Sequence, residues 1–342
     1  MARLAPDTGE PAKTIDVNGG NELLQEIEQF RRVVARLDPN ATLVHAWALT
    51  GGISAQVTAL EIARAGGQTQ KLVVRRHGPI DLAHNPQIAA DEFRLLQILQ
   101  TESIAAPAPY FLDASCEIFP TPYLIMEFIE GETDFAPANL ADQIRQLASK
   151  LAAIHRIDGA HHDLSFLPEV TEMFTQRLNQ RPSTLDNSFS EGRIRAALTT
   201  AWPLPPLNAP VLLHGDYWPG NILWQDGQLA AVIDWEDVAF GDPLADLANA
   251  RLELLFFYGP DATDDFTRHY LAEAPIDITD LPYWDLCVAL RPIAPFAKMF
   301  PDEATANTMR ERHRSFVERA LEAITGHRTN LREDQTRSCP PH

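Results

Sequence analysis

Apolar residues along this chain recur at two different steps, and the step sets the element. Over residues 21–37, Leu23, Leu24, Ile27, Phe30, Val33, Val34 and Leu37 fall three and four apart, which predicts an amphipathic helix. Residues 41–49, 55–63 and 71–76 are short apolar runs with β-type alternation, joined by the loop Thr50-Gly51-Gly52-Ile53-Ser54 and a Gly66-Gly67 turn; three strands are expected there. A helix follows over 85–99, then strands over 110–113 and 123–129 after a Pro-rich loop. Helical spacing then dominates. Long helices are predicted over 136–157, 244–258, 264–272, 281–300 and 302–324, while 158–187 reads as polar and irregular apart from a short helix near 170–178.

Strands early and helices late predict an α+β fold. The Pro- and Gly-rich residues 1–20 and the polar residues 326–342 are expected to be a disordered arm and tail. A length of 342 residues suits two lobes, and 45% hydrophobic residues suffice for a sizeable core. No run of about eighteen apolar residues predicts a membrane span. The start, MARLAPDTGEPAKT, lacks an apolar signal region, so a cytoplasmic location is expected. Cys116, Cys287 and Cys339 are widely spaced and read as free thiols, neither a disulfide framework nor a zinc site. Acids outnumber bases 47 to 28, for a net charge of −19. That balance argues against nucleic-acid or anionic-membrane partners.

The chemistry concentrates in residues 211–250, VLLHGDYWPGNILWQDGQLAAVIDWEDVAFGDPLADLANA. Two apolar runs flank Gln225-Asp226-Gly227-Gln228, and an Asp-Gly pair in that setting predicts a β-hairpin. The hairpin would bring Asn221, at the start of its first strand, toward Asp234 at the end of its second. An amide carbonyl and a carboxylate are hard oxygen donors of the kind Mg²⁺ takes. Asp216, five residues before Asn221, is then suited to accept a proton from a hydroxyl attacking a phosphate.

The pattern H-G-D-x-x-x-x-N, then I-D-W, then G-D-P-x-x-D-L-A resembles the aminoglycoside phosphotransferase and choline kinase-like superfamily, small-molecule relatives of the protein kinases. The residues that match are His214, Gly215, Asp216, Asn221, Ile233, Asp234, Trp235, Gly241, Asp242, Pro243, Asp246 and Leu247. The resemblance implies a bilobal kinase-like fold, an antiparallel-sheet N-terminal lobe over 21–130 and a mainly helical C-terminal lobe over 131–325, with Asp216 as catalytic base and Asn221 and Asp234 as Mg²⁺ ligands. It further implies Gly51, Gly52 and Ser54 as the nucleotide-covering loop. Arg75 or Arg76 would be the phosphate-binding cation, with alternation favouring Arg75. Glu92, or its rival Asp91, would be the acid paired with that cation. The main chains of Glu127 and Ile129 would meet the nucleotide base. Asp246 would tie the catalytic loop in place, and His214 and His155 read as buried partners.

The resemblance departs where many relatives carry Asn, at Ala55 or Gln56, and a protein kinase is not expected, because W-E-D stands after Asp234 in place of F-G. The expected activity is Mg-dependent transfer of the γ-phosphoryl group of ATP or GTP to a small hydroxylated acceptor. The enzyme would be either antibiotic-inactivating or a housekeeping metabolite kinase; a regulatory module without turnover is the rival from another class. Glu236, Asp237, Glu253, Asp264 and Asp285 could meet a cationic acceptor or stand as ordinary solvated acids.

Overall fold

The computed structural model describes residues 21–49, 55–300 and 302–337. The chain forms two compact units. The first, Met1–Glu132 with Ile222–Gln225 and Ala230–Glu236, carries an antiparallel sheet. Its strands β1 (Thr42–Ala48), β2 (Ala55–Ala63), β3 (Thr69–His77), β4 (Pro109–Asp113) and β5 (Tyr123–Glu127) lie in the order β1-β2-β3-β5-β4. Alternation divides β3 between two faces. Leu72 and Val74 join Leu60, Ile62, Tyr123 and Ile125 in a core closed by Phe30, Val33 and Val34 of helix α1 (Asn21–Leu37). Truncating fully buried Phe30 to Ala would cost about 3–5 kcal/mol. Arg76 shares that face, with its guanidinium 4.2 Å from the Phe119 ring centroid, whereas Arg75 takes the opposite one.

Two helices follow β3. The short α2 (Pro79–His84) buries no residue, which explains why apolar spacing gave no hint of it. Helix α3 (Ile88–Thr101) buries Ala89, Glu92, Leu95, Leu96 and Leu99. The predicted hairpin forms from β7 (Ile222–Gln225) and β8 (Gln228–Val232). Asp226 and Gly227 have φ of +51° and +74°, the two positive values a type I′ turn needs.

The second unit, Thr133–Asn221 with Asp226–Leu229 and Asp237–His342, is helical apart from β6 (Val211–Leu213) paired with β9 (Ala239–Gly241). Helix α7 (Leu244–Tyr258) is its axis. Apolar residues cover most of its circumference, the mark of a helix enclosed by neighbours, which are α8 (Pro260–Glu273), α9 (Leu281–Ala289) and α11 (Glu303–Arg337). Polar residues on such a helix need partners, and Asp246 and Asn249 of α7 prove central to the site.

Helix α4 (Leu140–Ile154) packs on α8 and is shorter than its predicted span. The polar stretch yields α5 (Val170–Asn179) and is followed by the unanticipated α6 (Glu191–Ala201). The helix predicted over 281–300 is broken: α9 ends at Ala289, and only the short α10 (Phe296–Met299) follows. Pro292 and Pro295 lack the N–H groups that continuation requires. Among the described residues no helix is long and apolar enough to cross a membrane.

Candidate active site

In the sheet unit, Arg75 is enclosed by carboxylates. Its Nη2 lies 2.6 Å from Glu236 Oε2 and 3.1 Å from Asp234 Oδ1, and its Nε 3.3 Å from Glu92 Oε2. The Nε contact is short but not aligned as a hydrogen bond, so the guanidinium edge retains donor capacity. Burial works against the charge of Arg75, but Glu92, Asp234 and Glu236 outweigh it and hold the guanidinium firmly protonated. Burial likewise opposes ionisation of Glu92. Arg75 and His77, whose Nε2 is 2.8 Å from Glu92 Oε2, reverse that and keep the carboxyl below the usual range.

Geometry thus separates the paired alternatives. Arg75 meets Glu92, whereas Arg76 meets Glu26 on α1 at 3.2 Å and Asp91 accepts from Asn85 at 2.8 Å. Asp234 is in the left-handed region at φ +66°, a conformation that costs a non-glycine residue about 1 kcal/mol or more. The Glu127 N–H donates to Ala108 O at 2.9 Å; Ile129 lies past the end of β5. Gly51, Gly52 and Ser54 fall outside the described residues.

In the helical unit, β6 is fully buried and delivers the chain into His214-Gly215-Asp216. Asp246 of α7 receives this loop: its Oδ2 accepts from His214 N at 2.6 Å and its Oδ1 from Gly215 N at 2.8 Å. Asp246 therefore ties the loop, while Asp242 accepts from Leu244 N at 2.9 Å and caps the helix. His155 Nε2 stands 3.3 Å from Asp246 Oδ2, and His155 Nδ1 2.7 Å from Tyr270 Oη. Burial raises the pKa of Asp246, but His155, His214 and the Gly215 N–H outweigh it, so the carboxyl stays below its usual range.

The loop closes on itself as well. Asn221 Nδ2 donates to Asp216 O at 2.8 Å and approaches Asp216 Oδ2 at 3.3 Å. The amide nitrogen thereby faces the loop. Arg291, in the break after α9, donates from Nη1 to Gly215 O at 2.7 Å and to Asn249 Oδ1 at 2.6 Å. Its Nη2 lies 3.6 Å from both Asp216 Oδ1 and Asp237 Oδ2. Asp216 itself is 7% exposed, a carboxylate held in place but still reachable.

Trp218 packs with Phe135 and Phe257, as an ordinary aromatic cluster does. Asn221, at the end of a short 3-10 turn (Pro219–Asn221), belongs to the helical unit and Asp234 to the sheet unit. The hairpin links them along the chain.

Four of the acids considered for a cationic acceptor face the protein's own arginines instead. Glu236 takes Arg75, Asp237 takes Arg291, Asp264 takes Arg319 at 3.3 Å, and Asp285 takes Arg251 at 3.1 Å. Sequence reasoning considered Glu236 only as an acid for a cationic acceptor, not as a partner of Arg75, and did not single out Arg291. The W-E-D following Asp234 was the only local hint of Glu236; nothing local marks Arg291.

The profile of the phosphotransferase enzyme family matches residues 45–285. The chain belongs to that family. It is 26% identical over 241 residues to viomycin phosphotransferase of Streptomyces vinaceus, covering 65% of this chain and 78% of that protein. It is 25% identical over 203 residues to acyl-CoA dehydrogenase family member 11 of Rattus norvegicus, covering 56% of this chain but only 26% of that protein. The chain thus spans about a quarter of the length of that relative. Among solved structures, the GDP complex of an aminoglycoside 2'-phosphotransferase of type IIIa superposes with TM-score 0.60 at 16% identity, covering 89% of this chain and 97% of the other. That likeness establishes the kinase-like fold, with a sheet-bearing N-terminal unit and a helical C-terminal unit.

Proposed function

We propose that this phosphotransferase moves the γ-phosphoryl group of a nucleoside triphosphate, ATP or GTP, to a hydroxyl of a small molecule. The observation that carries this reading is Asp216, presented by a loop whose His214 and Gly215 N–H groups bond Asp246 and whose Gly215 carbonyl bonds Arg291, with the Asn221 amide fixed against it. A carboxylate so placed orients an acceptor hydroxyl and takes its proton. The acceptor oxygen bonds to the γ-phosphorus, the bond from that phosphorus to its bridging oxygen breaks, and the nucleoside diphosphate leaves with the electron pair.

Arg75 suits the phosphates, since a guanidinium binds them through parallel N–H groups and its buried Nε lacks an aligned acceptor among the described residues. Asn221 and Asp234 would hold Mg²⁺. Their donors are an amide oxygen and a carboxylate, as that ion prefers. No cluster of three or more His, Cys, Asp or Glu able to hold a metal occurs among the described residues, and an ion shared with substrate phosphates does not require one. When bound, Mg²⁺ neutralises charge developing on the transferring group.

The GDP complex of the structural neighbour supports a nucleotide donor, and the match to viomycin phosphotransferase supports a small hydroxylated acceptor. The test is phosphate transfer from ATP and GTP, with and without Mg²⁺, across aminoglycosides, macrolides, amino alcohols, sugars and hydroxy acids, alongside Asp216→Asn. Turnover by the wild type that drops on the order of 10²-fold or more in the variant is expected. Full turnover by Asp216→Asn would end the role given to Asp216. Nucleotide binding without transfer to any acceptor would favour a regulatory module.

A further inference from the structure

Helices α5 and α9 of the helical unit share an aromatic wall. Phe174 of α5 meets Trp284 of α9 edge-on with ring centroids 5.5 Å apart, and Trp202 packs on both. Near the end of α5, Arg177 lays its guanidinium over Phe174, 5.6 Å from the ring centroid, a placement a cation–π contact favours. Residues three and four apart lie on one helix face, so Cys287 follows Trp284 there. Arg291 comes four residues later, its N–H still bonded to Val288 O at 2.9 Å. Arg291 is the residue that reaches Asp216.

Arg177 and Arg291 differ in what answers their charge. Arg291 faces two carboxylates, Asp216 and Asp237, each at 3.6 Å. Arg177 is exposed and makes no hydrogen bond or ion pair with any described residue. The wall around its guanidinium, then the nearby charge of Arg291, push it down to about 10, while Asp237 acts in the opposite sense. It remains a full cation at neutral pH. In a chain with 47 acids and 28 bases, an exposed arginine with no ion-pair partner among the described residues, beside a second arginine, is the reverse of what a polyamine acceptor needs. Four of the five acids that could have met such a cation are already taken by arginines.

We propose that Arg177 is the anion anchor of the acceptor site, so that the molecule phosphorylated carries a carboxylate or phosphate group beside its hydroxyl. This rests on Asp216 being the base of a small-molecule phosphotransferase. The anion would lie against Arg177 on the Phe174 wall, with Arg291 between it and Asp216. An arginine suits this task because its planar donors match either oxyanion.

The experiment compares acceptors in matched pairs with Mg-ATP as donor: glycolate with ethylene glycol, 3-hydroxybutyrate with butane-1,3-diol, and glycerol 3-phosphate with glycerol. Kanamycin serves as the cationic acceptor. The expected result is turnover of the anionic members, and which of the first two pairs or the third responds separates a carboxylate from a phosphate. Arg177→Met should lower the preference for acid over diol by on the order of 10- to 100-fold, chiefly through KM, and Arg177→Lys should restore part of it. A purely structural role would lower Tm in the Met variant and leave that preference where it was, overturning the proposal. Transfer only to neutral or cationic hydroxyls would also overturn it, with the phosphotransferase reading intact. Transfer to none of these compounds would sink both.

Discussion

Arg291 Nη2 lies 3.6 Å from Asp216 Oδ1 while Nη1 of the same guanidinium donates to the carbonyl of Gly215 at 2.7 Å. One side chain therefore lies against the candidate base and also holds the backbone that presents it. Asn249 Oδ1, at 2.6 Å from Nη1, fixes the guanidinium in turn.

Replacing Arg291 by Met should displace Asp216 and lower kcat on the order of 10²-fold, the usual result of a misplacement of about 1 Å. Arg291→Lys keeps the charge but not the fork, and should fall between the two. Steady-state kinetics beside thermal melts decides the point: wild-type kcat in the Met variant would leave Arg291 no positioning role.

Gly215 and Gly227 offer a controlled pair. Their φ values are +80° and +74°, yet a Cβ on Gly215 would stand 1.8 Å from the backbone oxygen of Asp237 whereas one on Gly227 meets nothing within 4 Å. Gly227→Ala should cost about 1–2 kcal/mol, the left-handed penalty alone. Gly215→Ala adds a backbone clash and should exceed about 3 kcal/mol. Urea denaturation measures both, and equal losses would contradict this account.

Arg75 faces three carboxylates of the sheet unit, Glu92, Asp234 and Glu236. Arg75→Met strands these carboxylates together, and breaking such a buried arrangement costs about 3–5 kcal/mol. Nucleotide affinity should fall as well. Glu236→Gln leaves two acids on Arg75 and should cost far less; a differential scanning comparison of the two variants tests the ranking.

Asp246 makes stability depend on acid. Its carboxyl is buried, which opposes ionisation, but His155, His214 and the Gly215 N–H depress its pKa in the folded state. A depressed folded value contributes stability in full above the unfolded value of about 3.9 and loses it as pH falls through the folded one. The stability gap between the wild type and Asp246→Asn should therefore be widest near neutral pH and narrow below about pH 4. Denaturant titrations across that range measure it, and a gap constant with pH would mean that the ionised form confers no advantage.

Local periodicity carried much of the fold. Helices α1 and α7 have the bounds their apolar spacing predicts, and Asp226-Gly227 announces the hairpin. Helix α2 left no trace because no residue of it is buried, and Pro292 and Pro295 divided a helix that hydrophobicity alone ran together. At the site, the motif residues were legible because they are close in sequence. The partners that position them were not: Glu236 reaches Arg75 across 161 residues, and Arg291 reaches Gly215 across 76. A charge paired at such separation has no signature in its own neighbourhood. Arg75 could be preferred over Arg76 from strand alternation, but only the fold shows that its neighbour turns to Glu26 and Phe119.

The sheet unit is not contiguous in the chain, since Ile222–Gln225 and Ala230–Glu236 belong to it. A fragment ending at Glu132 would therefore keep Arg75 and Glu92 but lack both Asp234 and Glu236, the acids on Arg75 Nη2. Limited proteolysis in the residues between would not release an intact N-terminal half. The two units are genetically interleaved, and exchanging either one with that of a relative requires moving Ile222–Gln225 and Ala230–Glu236 along with the sheet unit they belong to.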